Sequence, residues 1–169
     1  MNQLTYGVPL LKKYGFTATF FIVKKWAESA DPAFMHVAQL RELVADGHDV
    51  ESHTANHWLL SRKHSESYDT LKARAWDATF GMRGWMSDAL KTRTVVALAY
   101  PGGRFDDFAM RLAREAGYEL AFTTKPGYVT VGGQSQFALP RWNVGARGLQ
   151  QSSFVAAVTG AERYRPGAL

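Results

Sequence analysis

The chain contains no cysteine in its 169 residues. That excludes disulfides and thiolate ligands, so any bound metal must be held by histidine, aspartate or glutamate. No apolar run approaches the length of a membrane span, so the chain is not expected to cross a bilayer. No basic region followed by an apolar core marks the N-terminus as a signal peptide, and localisation is left unassigned. Acid is missing from the start, where Glu28 is the first carboxylate, and no histidine follows His64. The charge balance is basic, with 20 Lys and Arg against 15 Asp and Glu for a net +5. The basic residues are scattered (Lys12-Lys13, Lys24-Lys25, Arg62-Lys63, Arg111, Arg114) and form no stripe interleaved with aromatics, which argues against a nucleic-acid partner.

What is present is a globular composition, 46% hydrophobic and punctuated by glycine, at the length of one domain. Residues 4–14 read as a helix with Leu4, Val8 and Leu11 on one face, in which Pro9 is tolerable only near the first turn. Residues 16–23 form a continuous apolar run, as in a strand buried on both faces. A helix with Val37, Leu40, Leu43 and Val44 on its apolar face ends at Gly47. Further helices are expected over 65–90, interrupted at Gly81 and Gly84, over 106–116, and over 152–158. Strands are expected over 95–100 and 119–123, with shorter candidates at 129–131 and 137–139. Strands alternating with helices predict an α/β fold with a parallel sheet. A complete eight-unit barrel needs about 200 residues or more, so only a shorter or incomplete one fits this length.

The stretch from Gly47 to Trp58, Gly-His-Asp-Val-Glu-Ser-His-Thr-Ala-Asn-His-Trp, concentrates the chemistry. A strand over 49–53 would put Asp49, Glu51 and His53 on one face. A following turn of helix would bring His53 and His57, four residues apart, to one point. Two neutral imidazoles presented together are half of a divalent metal site, for which zinc is the commonest occupant. Thr54 could hydrogen-bond the backbone or a ring and fix ligand orientation. The structural alternatives are solvated or core-satisfied histidines, and helix caps or surface charges for Asp49, Glu51, Asp106 and Asp107. His36, His48 and His64 have no partner at ligand spacing and read as structural or surface residues.

This histidine segment resembles the second motif of the polysaccharide deacetylase (NodB-like, carbohydrate esterase family 4) domains. Residues 10–22 resemble that family's first helix and second strand, Ala99-Tyr100-Pro101-Gly102-Gly103 its third motif, and Leu139-Pro140-Arg141-Trp142 stands where its fourth falls. The resemblance implies a distorted, incomplete (β/α) TIM-like barrel with its site at the carboxyl ends of the strands. It implies removal of N-acetyl groups from an N-acetylated polysaccharide, with a divalent metal, most often zinc, as cofactor. His53 and His57 are then the metal ligands. Gly102, through its backbone N–H, and Arg141 are the catalytic candidates; Tyr100, Pro101 and Trp142 are the substrate-binding ones. Tyr100-Pro101-Gly102-Gly103 is most similar to the branch acting on poly-N-acetylglucosamine. The family's first motif, Thr-Phe-Asp-Asp-Gly, supplies a third ligand and the general base, and this chain has no counterpart to it. A single domain over 1–169, truncated at its N-terminus, is the expected reading; a natural loss of the base is the other. The position usually held by arginine is Ala99, for which Arg141 is a candidate substitute, and the histidine of the family's fifth motif is lacking. The alternative function is a non-catalytic glycan-binding domain that keeps the fold and the histidine pair.

Overall fold

The computed structural model describes residues 3–91, 95–130 and 132–143. Four short strands, β1 (Thr19–Ile22), β2 (Asp49–Ser52), β3 (Ala97–Ala99) and β4 (Leu120–Phe122), form one parallel sheet in the order β1-β2-β3-β4. Spatial order that follows chain order, with every strand parallel, requires the same crossover at each step. Right-handed crossovers then lay the helices along one face and leave the other face as the inside of a barrel sector. The register confirms two unlike faces: Phe21 pairs with Glu51, Ser52 with Leu98, and Ala99 with Phe122. Phe20, Ile22, Val50, Leu98 and Ala121 therefore share the helix-facing side, and all are buried. Phe21 and Phe122 share the other side with Glu51 and Ala99. Their rings meet edge-on at 5.6 Å, although β1 and β4 are three strand spacings apart, roughly 14 Å in a flat sheet. That side must be concave.

Helices α1 (Val8–Lys13), α2 (Lys24–Ala27), α3 (Val37–Ala45), α4 (Tyr68–Trp76), α5 (Met82–Leu90) and α6 (Asp107–Glu115) connect or flank the strands. A π-helical segment, Gln3–Gly7, runs directly into α1, so Pro9 sits inside a continuous helical stretch rather than at its start. Ser67 caps α4 by accepting the Thr70 N–H, and Asp106 caps α6 by accepting that of Ala109. Leu40, Leu43, Leu71, Met82, Met86 and Leu112, each at most 2% exposed, fill the layer between helices and sheet.

Three expectations need correction. Residues 16–23 do not make a strand buried on both faces: β1 is four residues long at the sheet edge, with Thr19 exposed and Phe16 at 66% exposure. The long helical stretch is not broken at Gly81 or Gly84; α4 runs into α5 through a π-helical turn, Asp77–Gly81. Two carbonyls of this turn also take donors from outside the helix. The Ala78 carbonyl accepts the Ala55 N–H at 3.0 Å, and the Tyr118 hydroxyl bridges the Thr79 carbonyl and Ser52 Oγ at 2.9 and 2.8 Å. The 137–139 candidate is realised only as a parallel bridge from Leu139 to Phe122, and residues 129–130 are not strand. Val131 and the helix expected over 152–158 lie outside the described residues.

Candidate metal centre

His53 directly follows β2, and its backbone N–H still pairs with the Ile22 carbonyl at 2.8 Å. Beyond it the chain does not coil into a helical turn. Thr54 and His57 both take left-handed backbone conformations, with φ of 71° and 60°. For β-branched Thr54 that is an unfavourable state which its surroundings must enforce. The fully buried Thr54 accepts the His57 N–H on Oγ1 at 3.0 Å, while its own N–H reaches Ser52 Oγ at 3.3 Å. Ala55 is pinned from two sides, donating to the π-turn and accepting the Lys25 N–H at 2.8 Å. The outcome matches what a helical turn would have given by another route. The His53 and His57 ring centroids lie 4.8 Å apart, edge to face at 67°.

Both rings are half-buried, and they are held differently. His53 Nδ1 lies 2.7 Å from the Ala99 carbonyl at the end of β3. A carbonyl can only accept, so Nδ1 carries the proton and Nε2 keeps its lone pair, the state required of a metal ligand. Burial, as the largest influence, lowers the His53 pKa below the usual histidine range. The Ala99 hydrogen bond opposes this, and the charges of His57 and Arg141 add to the lowering. The ring is thus neutral at pH 7. The same interaction sets Arg141 within electrostatic reach of His53. Its guanidinium is half-buried, and its backbone N–H donates to the Lys125 carbonyl at 3.0 Å.

The turn after β3 supplies Gly102, exposed and left-handed at φ 62°, whose backbone N–H has no acceptor among the described residues. Gly103 is also left-handed, at φ 67°, and a Cβ there would stand 2.0 Å from Thr124 Oγ1. At Gly102 the nearest atom to an added Cβ is Leu59 Cδ2, at 3.6 Å. The two glycines thus make different predictions. Gly103→Ala should cost about 3 kcal/mol through strain and collision, whereas Gly102→Ala should cost about 1 kcal/mol through strain alone. Thermal melting of the two variants checks this order.

Tyr100 and Pro101, expected against substrate, belong to the core. The Tyr100 ring is fully buried, with its hydroxyl donating to the Phe137 carbonyl at 3.0 Å, and Pro101 is buried beside it. They directly precede Gly102 in the turn after β3. Trp142 is half-buried and packs against Tyr128 with centroids 5.7 Å apart.

Among the described residues no carboxylate joins the histidines. Glu51 shares their sheet face but sits one pleat repeat lower, roughly 7 Å along the strand. Its Oε2 accepts the N–H groups of Val96 and Ala97 at 3.0 and 2.9 Å. Asp49 is a further repeat away, at the start of β2. Asp106 caps α6 and accepts the Arg62 N–H at 2.7 Å. Among the described residues no group of three or more His, Asp or Glu side chains could hold a metal. The two imidazoles fit a divalent cation as a donor pair, and the set is incomplete without an acid. His48 Nδ1 accepts the Ala18 N–H at 3.2 Å against the edge of Phe20, and His64 is exposed. The residues that sequence reading missed are Ala99, whose carbonyl acts where its side chain cannot, and Ala78 of the π-turn. Neither has a side-chain signal.

The sequence profile described as polysaccharide deacetylase matches residues 2–121. YxkH of Bacillus subtilis is 28% identical over 155 residues, covering 89% of this chain and 50% of that protein. A peptidoglycan-N-acetylglucosamine deacetylase of Bacillus cereus is 27% identical over 110 residues, 65% of this chain and 45% of that one. This chain therefore spans about half the length of these curated relatives. Among solved structures, the Streptococcus pyogenes deacetylase PplD in complex with acetate superposes with a TM-score of 0.75 at 23% identity. The match covers 91% of this chain and 64% of PplD, and it establishes the fold.

Proposed function

The chain belongs to the polysaccharide deacetylase family, and on that premise we propose that it hydrolyses N-acetyl groups from a polymer of N-acetylated amino sugars, with His53 and His57 as ligands of a divalent metal. The observation that carries this reading is the convergence of the two rings at the carboxyl end of a parallel sheet, one of them tautomerically fixed by the Ala99 carbonyl. The family is generally metal-dependent, zinc is the metal we infer, and the similar PplD structure is a complex with acetate, the acid that such a reaction would release.

In the reaction, water adds to the acetamide carbonyl carbon, the C–N bond breaks, acetate leaves, and the sugar amine gains a proton. A divalent cation bound by the histidines would polarise the carbonyl and lower the pKa of its water. The chain's own groups meet the remaining needs in part. The Gly102 N–H is the proposed donor to the developing oxyanion, and the Arg141 guanidinium the proposed positive charge beside His53. Trp142 is the proposed wall of the acetyl pocket. Among the described residues no acid completes the metal set. The outer edge of β1 has no strand among the described residues, and a groove lined by Leu10, Leu11, Tyr14, Phe16 and Phe20 runs along it.

A second reading, a glycan-binding domain without catalysis, is favoured by one specific observation: Glu51 and Asp106 are committed to structural hydrogen bonds, leaving neither as the base. Acetate release from chito-oligosaccharide in the presence of zinc separates the two. Release that His53→Ala abolishes supports the hydrolase. Stoichiometric zinc and oligosaccharide binding with no acetate supports the second reading.

A further inference from the structure

The two histidines are held in unequal ways. His53 is fixed by a hydrogen bond from its ring. For His57 the hydrogen bond to this loop is made by the backbone N–H, to Thr54, and the ring nitrogens have no partner among the described residues. Metal-bound histidines nearly always have their second ring nitrogen tied to a carbonyl or carboxylate, because an untethered ring swings about its χ angles and presents its lone pair poorly. Something other than a hydrogen bond must aim His57.

That contact comes from α2. The Trp26 indole lies against the His57 ring with centroids 5.0 Å apart and planes tilted by 37°. Trp26 is itself fixed, since Phe34 stacks on it at 5.0 Å and 9°. The backbone beside it is tied to the histidine loop through the Lys25 N–H and Ala55 carbonyl. Trp26 and His57 are thus held against each other by both ring packing and main chain. Among the described residues the other ring against His57 is that of His53.

We propose that Trp26 is a positioning residue for the metal centre: its indole sets the orientation of the His57 imidazole, doing by packing what the Ala99 carbonyl does for His53. This rests on the reading of His53 and His57 as a metal pair. The α2 segment, four residues long and directly after β1, then acts as the support of the site.

The test uses the whole chain with cobalt(II) as the probe, followed by its visible absorption, and NMR of the histidine ring protons in the metal-free chain. Trp26→Ala should weaken cobalt binding about 10-fold or more, the range found for groups that orient metal ligands, while Trp26→Phe should stay within about 3-fold of wild type. Without metal, Trp26→Ala should move the His57 ring-proton shifts and leave those of His53 and His48 in place. Unchanged cobalt affinity in Trp26→Ala would overturn the proposal. So would shifts of His53 and His48 as large as that of His57, since Trp26 would then be general packing. If wild type takes up no cobalt, the histidine-pair reading fails first and the positioning role falls with it. That result differs from a cobalt-binding wild type with an indifferent Trp26→Ala, where only the Trp26 assignment is lost.

Discussion

Replacing His57 with alanine should weaken zinc binding by about 100- to 1,000-fold, while His64→Ala should leave it unchanged. The size follows from the free energy of zinc sites, about 10–16 kcal/mol shared among four ligands, so one ligand carries about 2.5–4 kcal/mol. The contrast follows from position. His57 faces His53 at 4.8 Å across a loop pinned by Thr54, Ala55 and the π-turn. His64 is exposed, seven residues further along the chain. His53→Ala should match His57→Ala and should also release the Ala99 carbonyl. Isothermal titration at pH 7 checks all three variants. Between pH 8 and 5 affinity should fall, because a metal must displace protons from imidazole nitrogen. His53 contributes less to that fall than an ordinary histidine, since its lowered pKa keeps it neutral further into acid. Equal effects of His57→Ala and His64→Ala would show that the pair is not the metal site.

Much of this site can be read from the sequence because it is written in side chains at fixed spacing. The histidine pair, the glycine pair of the β3 turn, and the helices ended by Gly47 and Gly117 all follow from local chemistry. Where the reading departs from the structure, main-chain partners are the cause. The helical turn expected over 53–57 is replaced by left-handed residues at Thr54 and His57, a state that depends on Thr54 Oγ1 finding the His57 N–H. The carbonyls of Ala78 and Thr79 in the π-turn accept from Ala55 and Tyr118, donors that are distant in sequence. Tyr100 reads as a site residue from its motif, and only the position of the Phe137 carbonyl places it in the core. The apolar run over 16–23 reads as a strand buried on both faces, while its place at the edge of the sheet formed by the described residues is a matter of topology that no local pattern encodes.

Glu51→Ala should destabilise the metal-free chain by about 3 kcal/mol, lowering its melting temperature by roughly 6–12 °C. Glu51 is 3% exposed, and its Oε2 accepts the N–H groups of both Val96 and Ala97 as the chain enters β3. The β2–β3 register is anchored at Ser52 and Leu98, so the carboxylate stands in for backbone pairing that β2 does not itself supply at that end. Removing it strands two N–H groups, each costing about 1–3 kcal/mol when left without an acceptor. Glu51→Gln keeps one oxygen able to accept both bonds and should cost only about 1 kcal/mol. The register also carries the effect to the site. Ala99, whose carbonyl holds His53, lies two residues beyond Ala97 on the same short strand. A β3 displaced at its start presents that carbonyl less well, so Glu51→Ala should weaken zinc by a smaller factor than His57→Ala, and Glu51→Gln scarcely at all. Melting curves and zinc titrations of the same two variants test both halves. A Glu51→Gln chain that melts like wild type but loses zinc as fully as His57→Ala would make Glu51 a ligand and the histidine pair only part of a different centre.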